Sequence, residues 1–160
     1  MRLPEEIVPV LNETLRHCAP GTPLEIWRGD DHHQWISNFA ALADQLELSE
    51  LIEDDLPRGF GLVCHALGWE AACQCEGWHA FSNKADSLDR IYAALEEVGL
   101  ADEASALKRA AAVWFETGGD LDATAAAYSA ASIPHMCDLD RMEHMVCYFV
   151  DHADRLFYRR

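Results

Sequence analysis

Several side chains near the carboxyl end of the sequence are of types that bind metal ions, and they recur at helical spacing. One face of a predicted helix carries Asp140, His144, Cys147, Asp151 and Asp154. Zinc requires three or four ligands at about 2.0 to 2.3 Å, and a single straight helix normally supplies two of them. One hypothesis is therefore a metal-dependent enzyme whose metal is held by His144, Cys147 and Asp151. An ordinary solvated helix face accounts for the same residues without a metal.

Two other groups of reactive side chains suit structural roles better than chemistry. Residues 30–33 read Asp-Asp-His-His, but neighbouring residues on a helix diverge by about 100° and cannot converge on one ion. Acids at these positions instead favour the start of a helix. The second group combines nucleophile and base types, namely Cys64, His65, Cys73, Cys75 and His79. Because no nucleophile elbow, Gly-rich phosphate loop or His-Glu-x-x-His motif accompanies it, we predict no catalytic residue and no cofactor.

The cysteines and the apolar pattern indicate a cellular location. The chain begins without a secretory signal pattern, and no window has the 18 or more uncharged apolar residues that a membrane span requires. We therefore expect a cytoplasmic protein that does not bind membranes. No Cys-x-x-Cys pair occurs, and thiols stay reduced in the cytoplasm. Most of the cysteines are predicted to be small core residues; they are Cys18, Cys64, Cys73, Cys75, Cys137 and Cys147.

The charge balance restricts the class of partner. The chain of 160 residues carries 28 Asp and Glu against 12 Lys and Arg, a formal net charge of −16. Long-range repulsion therefore opposes direct binding to nucleic acid or to an anionic membrane, and a protein partner is expected to be basic. Half of the residues are hydrophobic and a quarter are charged, which is typical of a globular chain. We predict one domain over residues 1–160.

Apolar periodicity predicts an all-α fold of six or seven helices, because it recurs at helical spacing and no two-residue alternation indicates strands. One stripe follows the acids at 30 and 31 and comprises Trp35, Phe39, Leu42 and Leu46. The next apolar residues, Leu48, Leu51 and Ile52, fall on a different face. A helix break is therefore predicted near Ser49, which is favoured as the N-cap of a restarted helix.

Proline, glycine and acidic residues place the later boundaries. A third helix opens after Pro57 and reaches a turn at Gly77, although three internal glycines weaken it by about 1 kcal/mol each. Gly99 ends the next helix, and Asp102 is predicted to cap the one after it. That helix ends at glycines 118 and 119, and its core residues are predicted to be Leu107, Ala111, Trp114 and Phe115.

The last helix is predicted to start at Asp138 or Asp140. Residues 140–143, Asp-Arg-Met-Glu, resemble a capping box. The helix that follows has a continuous apolar stripe at helical spacing. Its members are Leu139, Met142, Met145, Val146, Phe149, Val150, Ala153 and Phe157.

The acids are concentrated in one segment. Residues 44–55 contain six acids and no base, and the first 80 residues carry 14 acids against 4 bases. Helical spacing turns these acids away from the apolar stripes, which predicts an exposed acidic ridge. The acidic ridge consists of Asp44, Glu47, Glu50, Glu53, Asp54 and Asp55. The alternative is a solvated face that only keeps the protein soluble.

Charge density tests whether this surface imitates nucleic-acid phosphates. A folded chain of this length exposes on the order of 8,000 Å², so a net charge of −16 averages one charge per about 500 Å². Duplex DNA carries one charge per about 1.7 Å of axis, or about one per 100 Å² of its surface. Mimicry therefore requires acids concentrated on one surface, as in residues 44–55, or a symmetric dimer that joins two ridges.

A longer part of the chain resembles a known family. Residues 76–83 read Glu-Gly-Trp-His-Ala-Phe-Ser-Asn, and a helix ending in Val98-Gly99 and an Ala-rich helix ending in Phe115 follow. Together with Leu-Asp-Arg-Met at 139–142, these features resemble the small acidic all-helical bacterial family, a domain of unknown function, that includes a DNA-mimic protein. The resemblance covers about residues 60–157. Its motif residues are Gly77, Trp78, Phe81, Asn83 and Gly99.

The resemblance implies an acidic homodimer that occupies the DNA-binding surface of a transcription factor, and it brings no catalytic residues. The leading hypothesis is therefore a non-enzymatic acidic binding protein that mimics DNA toward a basic regulator. The alternative is an immunity-type inhibitor, which would use the same negative charge to bind a basic toxin or nuclease. The metal-dependent enzyme is the third hypothesis.

Overall fold

The fold is all-α, as the sequence predicts. The computed structural model describes residues 2–51, 55–131 and 136–159. Within these ranges the backbone is helical or irregular, and its one isolated β-bridge joins Arg2 to Arg159. No helix among these residues is both long enough and apolar enough to cross a membrane.

The helices follow one another closely along the chain. In chain order they are α1 Val8–Leu15, α2 His32–Leu48, α3 Arg58–Leu62, α4 Gly68–Glu76, α5 Ala80–Asn83, α6 Leu88–Glu97, α7 Ala101–Thr117, α8 Leu121–Ser129, α9 Asp138–Asp151 and α10 Ala153–Leu156. A π-helix, Val63–Leu67, lies between α3 and α4, and short 3-10 turns include Ile26–Arg28 and Gly77–His79.

Contacts divide the chain into two compact units. Unit 1 comprises Met1–Gly68 and Asp138–Arg160, and unit 2 comprises Trp69–Cys137. The single domain over residues 1–160 stays a prediction.

Helix α2 positions much of unit 1. Its N-cap is Asp31, whose Oδ1 accepts a hydrogen bond from the His33 backbone N–H at 3.0 Å, as expected for an acid before a helix. All four residues of the predicted stripe are buried, which confirms the face that packs on the core: Trp35, Phe39, Leu42 and Leu46. The predicted break is also present, since the helix ends at Leu48.

The role predicted for Ser49 is wrong. Ser49 has extended backbone angles at the end of α2, and its hydroxyl donates to the Leu46 carbonyl at 2.8 Å. Residues 50 and 51 are not helical, so Ser49 is the C-cap of α2 and not the N-cap of a restarted helix. Leu51 lies outside helices, and Ile52 lies outside the described residues.

Aromatic rings fill the core of unit 1 around the chain's carboxyl end. Trp27 stacks on Phe157 at 4.2 Å between ring centroids, and Phe60 meets Phe157 edge-on at 5.2 Å. The backbone passes close to these rings at Gly59, where a Cβ atom would lie 2.7 Å from the Leu156 carbonyl oxygen. Gly59 therefore permits this approach and is not merely a weak helix former.

Unit 2 is built largely from α6, α7 and α8, which pack in sequence order. The apolar side of α6 is buried, and its last members are Leu95 and Val98. Gly99 and Gly118 then adopt φ values of 89° and 68°, the left-handed conformation in which glycine ends a helix.

Two predictions about α7 are wrong. The helix begins at Ala101 after an N-cap position held by Leu100, so Asp102 lies inside the first turn and does not cap it. Phe115 is 50% exposed because it lies about 100° from the centre of the buried face, while Trp114 occupies the core. Trp114 donates through Nε1 to the Ser82 hydroxyl at 2.9 Å.

Helix α9 begins at Asp138, one of the two predicted starts. Asp140 therefore lies within the first turn, and the predicted capping box is wrong. Leu139, predicted as core, is 60% exposed because it lies about 90° from the centre of the buried face. Met142, Met145, Val146 and Phe149 form that face, as predicted, together with Arg141.

Candidate functional site

The acidic ridge is exposed wherever the structure describes it. Asp44 and Glu47 lie on the solvent-facing side of α2, and Glu50 and Asp55 follow the end of that helix. All four side chains are exposed. The remaining two members, Glu53 and Asp54, lie outside the described residues.

The segment that carries the ridge contains no Lys or Arg. Between Arg28 and Arg58 the sequence has eight acids and no such base. Within the described ranges, no Lys or Arg side chain forms an ion pair with Asp44, Glu50 or Asp55. Arg159 reaches the segment, but it donates to the Asp55 carbonyl oxygen at 2.7 Å and its ion pair is with Glu6. These three carboxylates therefore present their charge to solvent.

Ion pairs elsewhere neutralise other surface acids. Glu13 pairs with Arg16 at 2.8 Å, Asp138 with Arg141 at 2.6 Å and Glu96 with Lys108 at 2.7 Å. The pairs of Glu13 and Glu96 are solvent-exposed and so contribute little to stability, but each of the three pairs reduces the local negative field. No such ion pair reaches Asp44, Glu50 or Asp55 among the described residues, so these members of the ridge keep their negative field.

The exposed leucine of α2 lies beside the ridge. Leu48 is 77% exposed, between Glu47 and the end of the helix. Protein interfaces commonly combine an apolar centre with a polar rim. The ridge can thus make both electrostatic and apolar contacts.

The residues that carry the family resemblance have structural roles. Gly77 has a φ of 56° at the turn after α4, and Phe81 is fully buried beneath Trp78, which stacks on it at 5.8 Å. Asn83 donates through Nδ2 to Glu76 at 2.8 Å. Gly99 ends α6. These contacts explain the motif by packing and turn geometry.

The proposed metal ligands are not brought together. His144 and Asp151 are exposed, and Cys147 is partly buried. Burial, followed by the charges of Glu143 and Asp151, raises the pKa of the Cys147 thiol and so opposes its ionisation to a metal-binding thiolate. Across residues 2–51, 55–131 and 136–159, no three His, Cys, Asp or Glu side chains converge as metal ligands would.

The prediction that most cysteines are core residues is wrong. Cys18, Cys64, Cys73 and Cys147 are partly exposed, and Cys75 and Cys137 are exposed. Alanine and larger aliphatic or aromatic side chains fill the core positions instead. His65 is partly exposed in the π-helix and His79 is exposed beside Trp114, at 5.2 Å between ring centroids.

We expect the isolated protein to contain no stoichiometric zinc and to keep its melting temperature in excess chelator. The reason is that a structural zinc site contributes folding free energy directly, and no such site is formed by the described residues. Elemental analysis of protein purified without added metal, combined with thermal unfolding with and without chelator, makes the measurement. About one tightly held zinc per chain would favour the metal-dependent enzyme.

Unit 1 contains a polar network that the sequence pattern does not predict. Arg28 donates through Nε to Glu25 at 2.6 Å and to the Tyr158 hydroxyl at 3.0 Å, and through Nη2 to Asp154 at 3.1 Å. Tyr158 donates to Glu25 and accepts from Trp27 Nε1 at 3.1 Å. Helical periodicity cannot reveal this network, because Arg28 and Asp154 are 126 residues apart.

The network shifts the pKa values of its Glu25 carboxyl and its Tyr158 phenol in opposite directions. Partial burial acts to raise the pKa of Glu25, but hydrogen bonds from Tyr158 and Arg28 outweigh it and lower that pKa. Burial and the bond to Glu25 raise the pKa of Tyr158. Because a lowered carboxyl pKa stabilises the fold above the unfolded pKa, this contribution is lost as the pH falls through the acidic range.

Comparisons with known proteins do not identify a family. No family model matches the chain, and no curated protein or solved structure matches it either.

Proposed function

We propose that the protein is a non-enzymatic acidic binding protein of the cytoplasm that docks a basic protein through the acidic ridge. In its most specific form it mimics DNA and occupies the DNA-binding surface of a basic transcription regulator. The observation that carries the proposal is the exposure of Asp44, Glu47, Glu50 and Asp55 in a segment without Lys or Arg. A partner with a cationic surface gains attraction there at long range.

Local charge spacing supports the DNA-mimic form. Asp44 and Glu47 are three residues apart on one face of α2, which places them about 4.5 Å apart along the helix axis. Each strand of duplex DNA carries a phosphate about every 3.4 Å. This pair of acids therefore approaches the charge spacing of one strand, even though the average over the whole surface is several-fold lower.

The experiment that tests the proposal is capture followed by competition. The immobilised protein is exposed to native lysate at low salt, and the captured partner is purified and given a labelled duplex containing its own binding sequence. We expect this protein and the duplex to exclude each other. A ternary complex with the DNA still bound would contradict mimicry, and a captured toxin or nuclease whose activity is blocked would establish the immunity-type inhibitor instead.

We expect the isolated protein to form a symmetric dimer that joins two ridges. A dimer lengthens the acidic surface and brings it closer to the extent of a DNA site. Light scattering at micromolar concentration measures this directly: twice 17.9 kDa is about 36 kDa. A mass near that of one chain would remove the dimer from the proposal but leave the ridge on each monomer.

A further inference from the structure

An open pocket of about 480 Å³ lies in unit 1, apart from the acidic ridge. Its volume falls in the range of small-molecule sites. Part of the lining is apolar and the rest is charged or titratable. The lining residues are Trp27, Arg28, Val150, Asp151, His152, Ala153, Asp154 and Arg155.

One side of the pocket is a guanidinium held in place. Arg28 is fixed by Glu25, Asp154 and the Tyr158 hydroxyl, and its guanidinium carbon lies 5.3 Å from the centre of the Tyr158 ring. These bonds use Nε and Nη2. Within the described part of the chain, Nη1 has no partner, so its two N–H donors remain available to a bound molecule.

The wall formed by residues 150–155 offers a second cation and a carboxylate. Arg155 donates through Nη2 to the Tyr148 hydroxyl at 3.0 Å, and no carboxylate pairs with it among the residues that the structure describes. Asp151 has no cation partner in the same ranges. An unpaired acceptor and unpaired donors therefore lie around one cavity.

The charges of the lining define the class of ligand. The lining contains two guanidinium groups and two carboxylates, so its formal charge is zero when His is counted as neutral. An anion would meet Asp151 and Asp154 within a chain of net charge −16, and a simple cation would leave the open donors of both arginines unused. A molecule that carries a positive and a negative charge can pair with both the carboxylates and the open arginine donors.

We infer that this pocket binds a small zwitterion of the α-amino-acid class. The ammonium group pairs with Asp151, and the carboxylate accepts from Arg155 and from Nη1 of Arg28. Charge-assisted hydrogen bonds of this type are the stronger ones in proteins. The side chain of the ligand rests against the apolar part of the lining, which Trp27, Val150 and Ala153 supply.

The probes are the free proteinogenic amino acids, each at about 10 mM. Binding of each one is detected in ¹H–¹⁵N spectra of the labelled protein. The indole signal of Trp27, assigned with a Trp27→Phe variant, reports on the pocket. The amino acid with the largest effect is then compared with its deaminated and its decarboxylated analogue. We expect each single-charge analogue to bind at least about tenfold more weakly than the zwitterion.

Substitutions of pocket residues test whether the amino acid binds in this pocket. Asp151→Asn and Arg155→Gln alter exposed side chains and are each expected to weaken binding at least about tenfold. The matched controls are Glu143→Gln on the same helix and Arg109→Gln in unit 2, both exposed and both expected to bind as the unaltered protein does. The inference is overturned if no amino acid moves the indole signal, if an analogue with one charge binds equally well, or if the two pocket variants behave like the controls.

Discussion

Replacing Gly59 by alanine is expected to lower the free energy of unfolding by about 3 kcal/mol. The added Cβ would lie 2.7 Å from the Leu156 carbonyl oxygen and 2.7 Å from Cε1 of Phe157. Both neighbours belong to the packed carboxyl-terminal segment, and Phe157 is held between Trp27 and Phe60. Relief of the clash must therefore move backbone or displace a core ring. Urea unfolding followed by far-ultraviolet circular dichroism gives the free energy.

Gly68→Ala is the matched control, because it adds the same methyl group to a nearby helical glycine. Its Cβ would meet only Cβ of Ala43, at the ordinary distance of 3.9 Å. Alanine is the better helix former, so this variant is expected to be unchanged or more stable by up to about 1 kcal/mol. Equal losses in the two variants would mean that the close approach at Gly59 does not determine the effect.

Local sequence signals predict helix ends well where one residue determines the backbone. Asp31 at the start of α2 and Gly99 and Gly118 at helix ends act through a single hydrogen bond or a single φ angle. The apolar stripe of α2 was equally readable, because all its members lie on one side of a helix.

The incorrect predictions concern residues whose burial or role depends on contacts with other parts of the chain. Phe115 and Leu139 stand at helical spacing from core residues, yet each lies at the edge of the buried face and remains exposed. Gly59 reads as a helix-weakening residue, and only the fold reveals the chain segment against it. Ser49 suits either end of a helix by residue type, and the non-helical residues 50 and 51 that follow it make it the C-cap of α2.

The two candidate sites, the acidic ridge and the pocket, also differ in how far the sequence predicts them. The acidic ridge is visible in the sequence because its six acids fall within residues 44–55 with no base among them, and helical spacing gives the direction of Asp44 and Glu47. The pocket is not visible, because Trp27 and Arg28 are more than 100 residues from the wall at 150–155. Its one local signal is the spacing of Glu25 and Arg28, three residues apart, which form an ion pair.

Neutralising the ridge is expected to weaken partner binding at least about tenfold while leaving the fold intact. The ridge variant combines Asp44→Asn, Glu47→Gln, Glu50→Gln and Asp55→Asn, which are exposed positions. Substitutions of this kind typically change stability by less than about 0.5 kcal/mol each. The loss should lie mainly in the association rate, because long-range attraction accelerates encounter.

A control variant removes the same number of charges from dispersed exposed positions. It combines Asp30→Asn, Asp86→Asn, Glu116→Gln and Glu143→Gln, so both variants change the formal net charge from −16 to −12. Any effect of total charge is therefore shared, and a difference between the two variants reports on the ridge itself.

The most direct measurement is the association rate constant for the captured partner at low and at physiological salt, compared among the unaltered protein, the ridge variant and the control variant. Salt at about 0.15 M shortens electrostatic reach to about 8 Å, so the unaltered protein should slow steeply with salt. We predict that the ridge variant is slow at both salt concentrations and has lost most of this dependence, while the control variant keeps it. Equal rates for the two variants would contradict a binding role for the ridge and would mean that its acids only keep the protein soluble.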